Sequence, residues 1–402
     1  MHNIYEILPK IFWVGGNDRR LERFENMFPL PNGVTYNSYL ILDEKTVLMD
    51  TVDASISAQY LENVSYTLNG RSLDYLVINH MEPDHCANIE EIVRRYPDVK
   101  VVGNQKTFQF FKQYYSLDMS SNYFEVKDGQ EIILGDHTLR FYMAPMVHWP
   151  EVMFSYETSK GILFSADAFG SFGANAGNLF TDEVEFDSRF LDEARRYYFN
   201  IVGRYGMQVQ AVMKKLAGVK INTICSLHGL IWRNADVPFI LNKYDQWSQY
   251  LPEKKGVVLA YASMYGNTEN AMSALATKLA KLGIKDMRMY DVSKTHPSYI
   301  ISDIFKYSNV VLASASYNAH LYFGMDSLLR ELSVLGLKNR KITLLGNHTW
   351  ATSAIKGMTE ILDNMKGNEI LGTPLDIKST LKSDQEPLLD ELAEAIYQSL
   401  CD

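Results

Sequence analysis

The chain has 402 residues and a formal net charge of −9, from 39 Lys plus Arg against 48 Asp plus Glu, with 47% hydrophobic and 22% charged residues. That length suits two domains of ordinary globular composition. The acidic balance argues against nucleic acid or an anionic membrane surface as the main partner. Cys86, Cys225 and Cys401 form no CxxC pair, which excludes a disulfide framework or a cysteine-based zinc or iron–sulfur site and fits a reducing cytoplasm. Residues 1–6 carry neither a basic nor an apolar leader signal, and no apolar run reaches membrane-spanning length, so no membrane association is expected.

In chain order, residues 11–53 are strand-rich, and 36–42 and 46–49 flank the turn Asp43-Glu44-Lys45 as a hairpin. A helix is expected over 55–67, then a buried strand over 73–78, a helix over 89–95, a strand over 99–102 and a helix over 106–114. Strands follow at 131–134, 138–143, 152–156 and 162–165. The stretch 185–216 reads as one or two long helices, and 221–226 as a strand. Mixed strands with flanking helices indicate a layered α/β domain.

The strand at 73–78 runs into His80-Met81-Glu82-Pro83-Asp84-His85, which places four potential metal ligands in six residues. They are expected in a loop at the strand's C-terminal end, the edge where open α/β sheets place their chemistry. Imidazole plus carboxylate is a mixed N/O donor set that suits iron or zinc rather than calcium or magnesium. His148, Asp167 and His228 each follow a strand in the same way. Taken singly, a histidine after a strand is more often a hydrogen-bonded loop residue than a ligand. Their shared position is what singles these out.

Residues 248–256 are polar and contain Pro252, which places a domain boundary there. Beyond it strands and helices alternate. Strands are expected at 257–262, 286–292, 310–313, 342–346 and 369–375, with helices at 267–282, 297–307, 324–335, 353–365 and 388–400. This pattern is that of a doubly wound parallel sheet. The loop Ser263-Met264-Tyr265-Gly266-Asn267-Thr268 joins the first strand to the first helix. It is either an ordinary capping turn or a phosphate cradle built from hydroxyls and free N–H groups at a helix N-terminus. It is neither GxGxxG nor a Walker loop, which disfavours NAD and ATP.

The motif His80-Met81-Glu82-Pro83-Asp84-His85, followed by His148, Asp167 and His228, resembles the metallo-β-lactamase fold, whose zinc hydrolases usually read HxHxDH. Glu82 in place of the second histidine is the mark of the flavodiiron proteins, because an anionic oxygen donor favours iron. Tyr36-Asn37-Ser38-Tyr39-Leu40 and His148-Trp149-Pro150-Glu151 match the same family context. The loop 263–268 resembles the phosphate loop of flavodoxins.

The resemblance implies an N-terminal metallo-β-lactamase-like αββα sandwich over 1–250. A flavodoxin-like sheet of order 2-1-3-4-5 would follow over 254–402. It implies one iron on His80, Glu82 and His148, a second on Asp84 and His228, with His85 left open, and Asp167 as the bridge. Trp149 would stand beside that centre or face the flavin, with core packing as the alternative. FMN would sit on 263–268, on Ser314-Ala315-Ser316-Tyr317-Asn318 and on Gly346-Asn347-His348-Thr349-Trp350, with Trp350 against the isoalloxazine.

Two departures stand out. The loop 24–28 has no histidine where many members carry one, and His348 and Thr349 replace an expected aromatic and a glycine. Neither gas preference nor the flavin-ring contacts carry over at these places.

The implied activity is reduction of O2 to water, of NO to N2O, or of both, with O2 favoured. Nitric oxide reduction as the main activity and oxidation of the deazaflavin coenzyme F420 are the alternatives within the class. A zinc hydrolase fused to flavodoxin and a pure electron carrier are those outside it. The chain resembles the minimal two-domain kind without a rubredoxin module. Rubredoxin or a similar protein would then donate electrons, and a head-to-tail homodimer or a dimer of dimers would bring FMN to the irons.

Overall fold

The computed structural model describes residues 2–185 and 190–401, and the chain divides into the units Met1–Asp245 and Gln246–Asp402. Each unit is described by itself.

In the first unit two sheets share one core. The seven-stranded sheet runs in the order Tyr5–Leu8, Ile11–Trp13, Tyr39–Leu42, Thr46–Met49, Tyr75–Val77, Lys100–Gly103, Tyr123–Glu125. The six-stranded sheet runs Glu131–Ile133, Thr138–Met143, Met153–Glu157, Ile162–Phe164, Thr223–Cys225, Trp232–Arg233. Strand residues alternate between faces, so Ile41, Val47, Met49, Val77 and Val102 of one sheet meet Leu139, Phe141, Met153, Phe164 and Cys225 of the other. Layered sheets with flanking helices are the αββα arrangement expected from sequence.

Thr46–Met49, Tyr75–Val77 and Lys100–Gly103 are mutually parallel, as are Ile162–Phe164 and Thr223–Cys225. The hairpin of Tyr39–Leu42 with Thr46–Met49 is antiparallel, as expected. Tyr36, its anticipated first residue, belongs instead to Val34–Tyr36, which pairs separately with Gly16–Asp18.

The stretch 185–216, expected as one or two long helices, holds two α-helices joined by turns of different pitch. Residues 186–189 lie outside those described. Beyond them come an α-helix at Leu191–Tyr197, a π-helical turn at Tyr198–Val202, a 3-10 turn at Gly203–Tyr205 and a second α-helix at Gly206–Leu216. The helix Asp236–Ser248 was not expected at all. Its Pro238 sits in the first turn, where a missing N–H costs nothing.

In the second unit the sheet order is Met287–Asp291, Lys254–Ala262, Tyr307–Tyr317, Lys341–His348, Glu369–Ile370, the order 2-1-3-4-5, with every pairing along it parallel. The fifth strand is interrupted, and Leu375–Lys378 continues the pairing along the end of Lys341–His348. The helices Asn267–Lys281 and Glu386–Cys401 bury Leu275, Leu279, Leu389 and Ile396 against Val257, Leu259 and Val311. No helix among the described residues is long and apolar enough to cross a membrane.

Candidate functional site

Strand ends deliver the first site. Tyr75–Val77 leads to His80, Ile162–Phe164 to Asp167 and Thr223–Cys225 to His228. One local correction applies: the motif 80–85 is not all loop. Pro83–Cys86 forms a single helical turn with Pro83 at its start, which presents Asp84 and His85 from adjacent helical positions.

The predicted ligands converge as two groups, His80, Glu82, His148 and Asp167, and Asp84, His85 and His228. In the first, His148 Nε2 lies 3.1 Å from Glu82 Oε2 and 3.1 Å from Asp167 Oδ2, and His80 Nε2 lies 3.2 Å from Glu82 Oε2. In the second, His228 Nε2 lies 3.3 Å and His85 Nε2 3.4 Å from Asp84 Oδ2, while His85 Nε2 lies 3.0 Å from Asp167 Oδ1. Asp167 thus turns one oxygen to each group. Donors held about 2.1 Å from a shared ion stand about 3.0–3.4 Å apart at octahedral or tetrahedral angles. The spacing observed here fits that requirement.

The surroundings fix the direction of each ring. Glu151 Oε1 accepts from His80 Nδ1 at 2.7 Å and from the Met81 N–H at 2.8 Å. His228 Nδ1 donates to the Thr35 carbonyl at 3.0 Å. Both arrangements leave Nε2 as the lone-pair atom facing the cluster. Asp50 accepts from Asn79 N, Asn79 Nδ2 and His80 N at 2.7, 2.7 and 3.1 Å and so pins the loop. Asn37 donates to the carbonyls of Ser226 and Gly229, holding the segment that carries His228. Trp149 is half-buried, its ring edge-on to His80 at 5.4 Å.

Burial alone would lower these imidazoles, but the carboxylates outweigh it. His148 rises to about 9 through Asp167 and Glu82, and His85 to about 9 through Asp84 and Asp167. Asp167 is held well below the ordinary carboxylate range by the histidines despite its own burial. Both oxygens of Asp84, His228 Nε2 and Asp167 Oδ1 are buried without a hydrogen-bond partner among the described residues. Buried polar atoms left so are costly, and a shared cation satisfies all of them together.

The turn 24–28 packs beside this cluster. Phe24 meets the His228 ring edge-on at 5.1 Å. The Glu25 carboxyl is pushed up to about 8 by desolvation and by the charge of Glu82 beside it.

Several residues that orient the cluster went unread in the sequence. Asp50 ends Thr46–Met49 at the edge that supplies His80, so the strand-end rule reaches it. Thr35 acts through its backbone carbonyl, which no residue type announces.

In the second unit the three predicted loops border one cavity. Ser263, Tyr265 and Thr268 come from the first loop, Ala315 and Ser316 from the second, and Asn347, His348, Thr349 and Trp350 from the third. Met264 and Asn267 also line it. Gly266 precedes the helix Asn267–Lys281 at φ +89, open space lies where a Cβ would point, and no side chain caps the helix. Those N–H groups and the helix dipole suit a phosphate.

Other predicted contacts do different work. The Ser316 hydroxyl accepts from the N–H groups of Ser353 and Ala354. Ser314 is wholly buried. A Cβ on Gly346 would meet Ile355 at 2.5 Å, so that glycine admits a helix. Tyr317 and Asn318 are exposed at the end of the antiparallel pairing with His320–Leu321. His296 caps the helix Pro297–Lys306 through its own side chain.

Comparison with known proteins agrees with this geometry. Residues 34–229 match the family described as ODP family beta lactamase, and residues 259–396 match flavodoxin. A nitric oxide reductase of Moorella thermoacetica is 32% identical over 359 residues, covering 89% of this chain and 88% of the relative. The rubredoxin oxygen:oxidoreductase of Desulfovibrio gigas has 28% identity and a TM-score of 0.90, covering 99% of this chain and 98% of its own. A flavo di-iron protein variant from Thermotoga maritima has 26% identity and a TM-score of 0.90, with the same coverage. The two matched families in this order, and full-length similarity to these relatives, make the chain a member of the flavodiiron protein family.

Proposed function

We propose that this chain reduces O2 to water, and NO to N2O, at a non-haem diiron centre supplied with electrons through FMN. The observation that carries the reading is Asp167, whose two oxygens face two separate groups of imidazole and carboxylate donors. In this reading the unit Met1–Asp245 is the iron half and Gln246–Asp402 the flavin half. His80, Glu82 and His148 hold one iron, Asp84 and His228 the other, and Asp167 both. His85 belongs with the second group, since its Nε2 points at Asp84 and Asp167.

When bound, the irons and FMN supply the gas-binding positions and the electron relay. The balances are O2 with four electrons and four protons to two waters, and two NO with two electrons and two protons to N2O and water. The protein's part is to fix donor number and polarity. Glu151 and the Thr35 carbonyl hold His80 and His228 in the tautomers that bind metal. Phe24, Tyr197 and Trp149 wall the cluster with rings.

Electrons are proposed to come from rubredoxin or a similar small carrier. A head-to-tail pairing of two chains would set the FMN of one against the irons of the other. O2 is proposed as the main substrate.

The test is to reduce the purified protein without air, mix it separately with O2 and with NO, and follow flavin reoxidation by stopped flow. Faster reoxidation by O2 supports an oxygen scavenger, and the reverse makes it a nitric oxide reductase. Slow reaction with both, from protein carrying two irons, would overturn the reading.

A further inference from the structure

The two groups of donors do not share their supports. Behind His80 stand Glu151 and Asp50. Behind His228 stands a separate set of buried polar side chains. It begins with a two-stranded sheet, Gly16–Asp18 with Val34–Tyr36, which sets Asn17 opposite Thr35. So short a ribbon is marginal by itself, and side chains fix its place. The Thr35 hydroxyl donates to Asn17 Oδ1 at 2.6 Å. The Asn175 N–H is shared between that hydroxyl at 3.0 Å and Asn17 Oδ1 at 2.8 Å. Thr35 and Asn175 are both buried.

Asn175 reaches His228 by two routes. Through Thr35 it steadies the carbonyl that accepts from His228 Nδ1 at 3.0 Å. Through its own Nδ2 it donates at 3.2 Å to the carbonyl of Gly229, the next residue in the chain. Asn37 donates to the same carbonyl at 3.1 Å, and an oxygen with two lone pairs accepts both. The acceptor that sets the tautomer and the backbone that carries the ring are thus tied to one side chain. Among the described residues, no hydrogen bond of the Asn17, Thr35 or Asn175 side chains reaches His80, Glu82 or His148.

We infer that Asn17, Thr35 and Asn175 position His228 alone, and so set the affinity of one iron without setting that of the other. The inference rests on the diiron reading above. Asn175 is a positioning residue, acting on the metal through His228. Its Oδ1 has no hydrogen-bond partner among the described residues. Leucine, of similar size, removes one useful bond together with that unpaired acceptor, so the fold should tolerate the change.

The test uses full-length protein reconstituted with iron, reading iron release by chelator competition and the oxidised metal by EPR. In Asn175→Leu one iron per chain should bind about tenfold more weakly and the other with wild-type affinity. Protein that has lost one iron should show the EPR signal of an isolated ferric ion, which a coupled pair lacks. A general loss of stability would not choose between the two irons. Thr35→Val keeps the shape without the hydroxyl and should act in the same direction, whereas Thr35→Ser restores the hydroxyl and should recover the affinity. Glu151→Gln, behind His80, should loosen the other iron, so that the double variant with Asn175→Leu holds both weakly.

Wild-type affinity for both irons in Asn175→Leu, or equal weakening of both, would overturn the inference while two irons per chain left the diiron reading intact. So would a double variant that keeps one iron at wild-type affinity, because both substitutions would then act on the same ion. Wild-type protein that takes up no iron would overturn both readings. If Asn175→Leu fails to fold, Thr35→Val against Thr35→Ser decides by the same measurements.

Discussion

The two candidate cofactor sites are built on opposite principles. At the metal cluster His80, His85 and His228 are wholly buried, and each ligand group is already in place. At the flavin cavity Tyr265 is 91% and Trp350 78% exposed, and the loops enclose little without a ligand. The difference follows from the guests. A bare ion offers only charge, so its donors must be preset by hydrogen bonds from behind, as Glu151 and Asp50 do. A flavin brings apolar area and many hydrogen-bonding groups, so it can complete its own site.

The contrast predicts unequal responses to mutation. Asp167→Ala removes the donor common to both groups and should release iron from both while flavin reduction survives. Gas-driven reoxidation should then slow about a thousandfold or more, the scale of losing roughly 4 kcal/mol of metal-assisted stabilisation. Iron analysis beside stopped flow checks this, and full iron retention would break the comparison at its centre.

A control away from the cluster is Asp43. It accepts from the His137 N–H and ring at 2.8 Å each and from Lys10 at 3.1 Å, all in the first unit. Asp43→Ala should cost about 3 kcal/mol of stability, because it strands buried partners, and leave FMN affinity unchanged. Against its own burial, His137 and Lys10 hold the Asp43 carboxyl below its ordinary value of 3.8. A depressed carboxylate stabilises the fold fully above that ordinary value, and this contribution is lost as pH falls through the folded-state value. The variant's deficit in urea melts should therefore shrink in acid below about pH 4.

Glu151→Gln keeps the shape behind His80 but weakens its orientation. Iron affinity should fall about 10- to 100-fold, read by chelator competition. Trp350→Ala should have the smallest effect, about fivefold in FMN affinity for roughly 1 kcal/mol of stacking. A larger loss there than at Glu151 would mean that the exposed ring does more than the contrast allows.

The sequence made the candidate ligands legible because strand ends are legible. His80, Asp167 and His228 each follow an apolar run, and the sheet brings those ends to one edge. It did not reveal their supports. Thr35 contributes a carbonyl across a separation of 193 residues, and Glu151 reads as an ordinary loop acid until His80 is seen beside it. The helical turn Pro83–Cys86 stayed hidden because four residues carry too little periodicity to register. In the flavin half the doubly wound parallel sheet was legible from simple alternation, and its strand order from the resemblance to flavodoxins. Which loop residues face the cavity was not, because Ser314 is wholly buried and Gly346 admits a neighbouring helix rather than a ligand.

The π-helical turn Tyr198–Val202 has a consequence that is counted rather than chemical. Residues 194–199 are buried without a break, which a straight surface helix advancing about 100° per residue does not permit. The wider turn absorbs one residue of phase. Deleting one residue between 198 and 202 would let the turn close to regular α-helical spacing while the flanking residues keep their phase. Tyr197, whose ring lies 5.5 Å from His228, would keep its place beside the cluster. At this place the chain has room for a lost codon that a regular helix would lack.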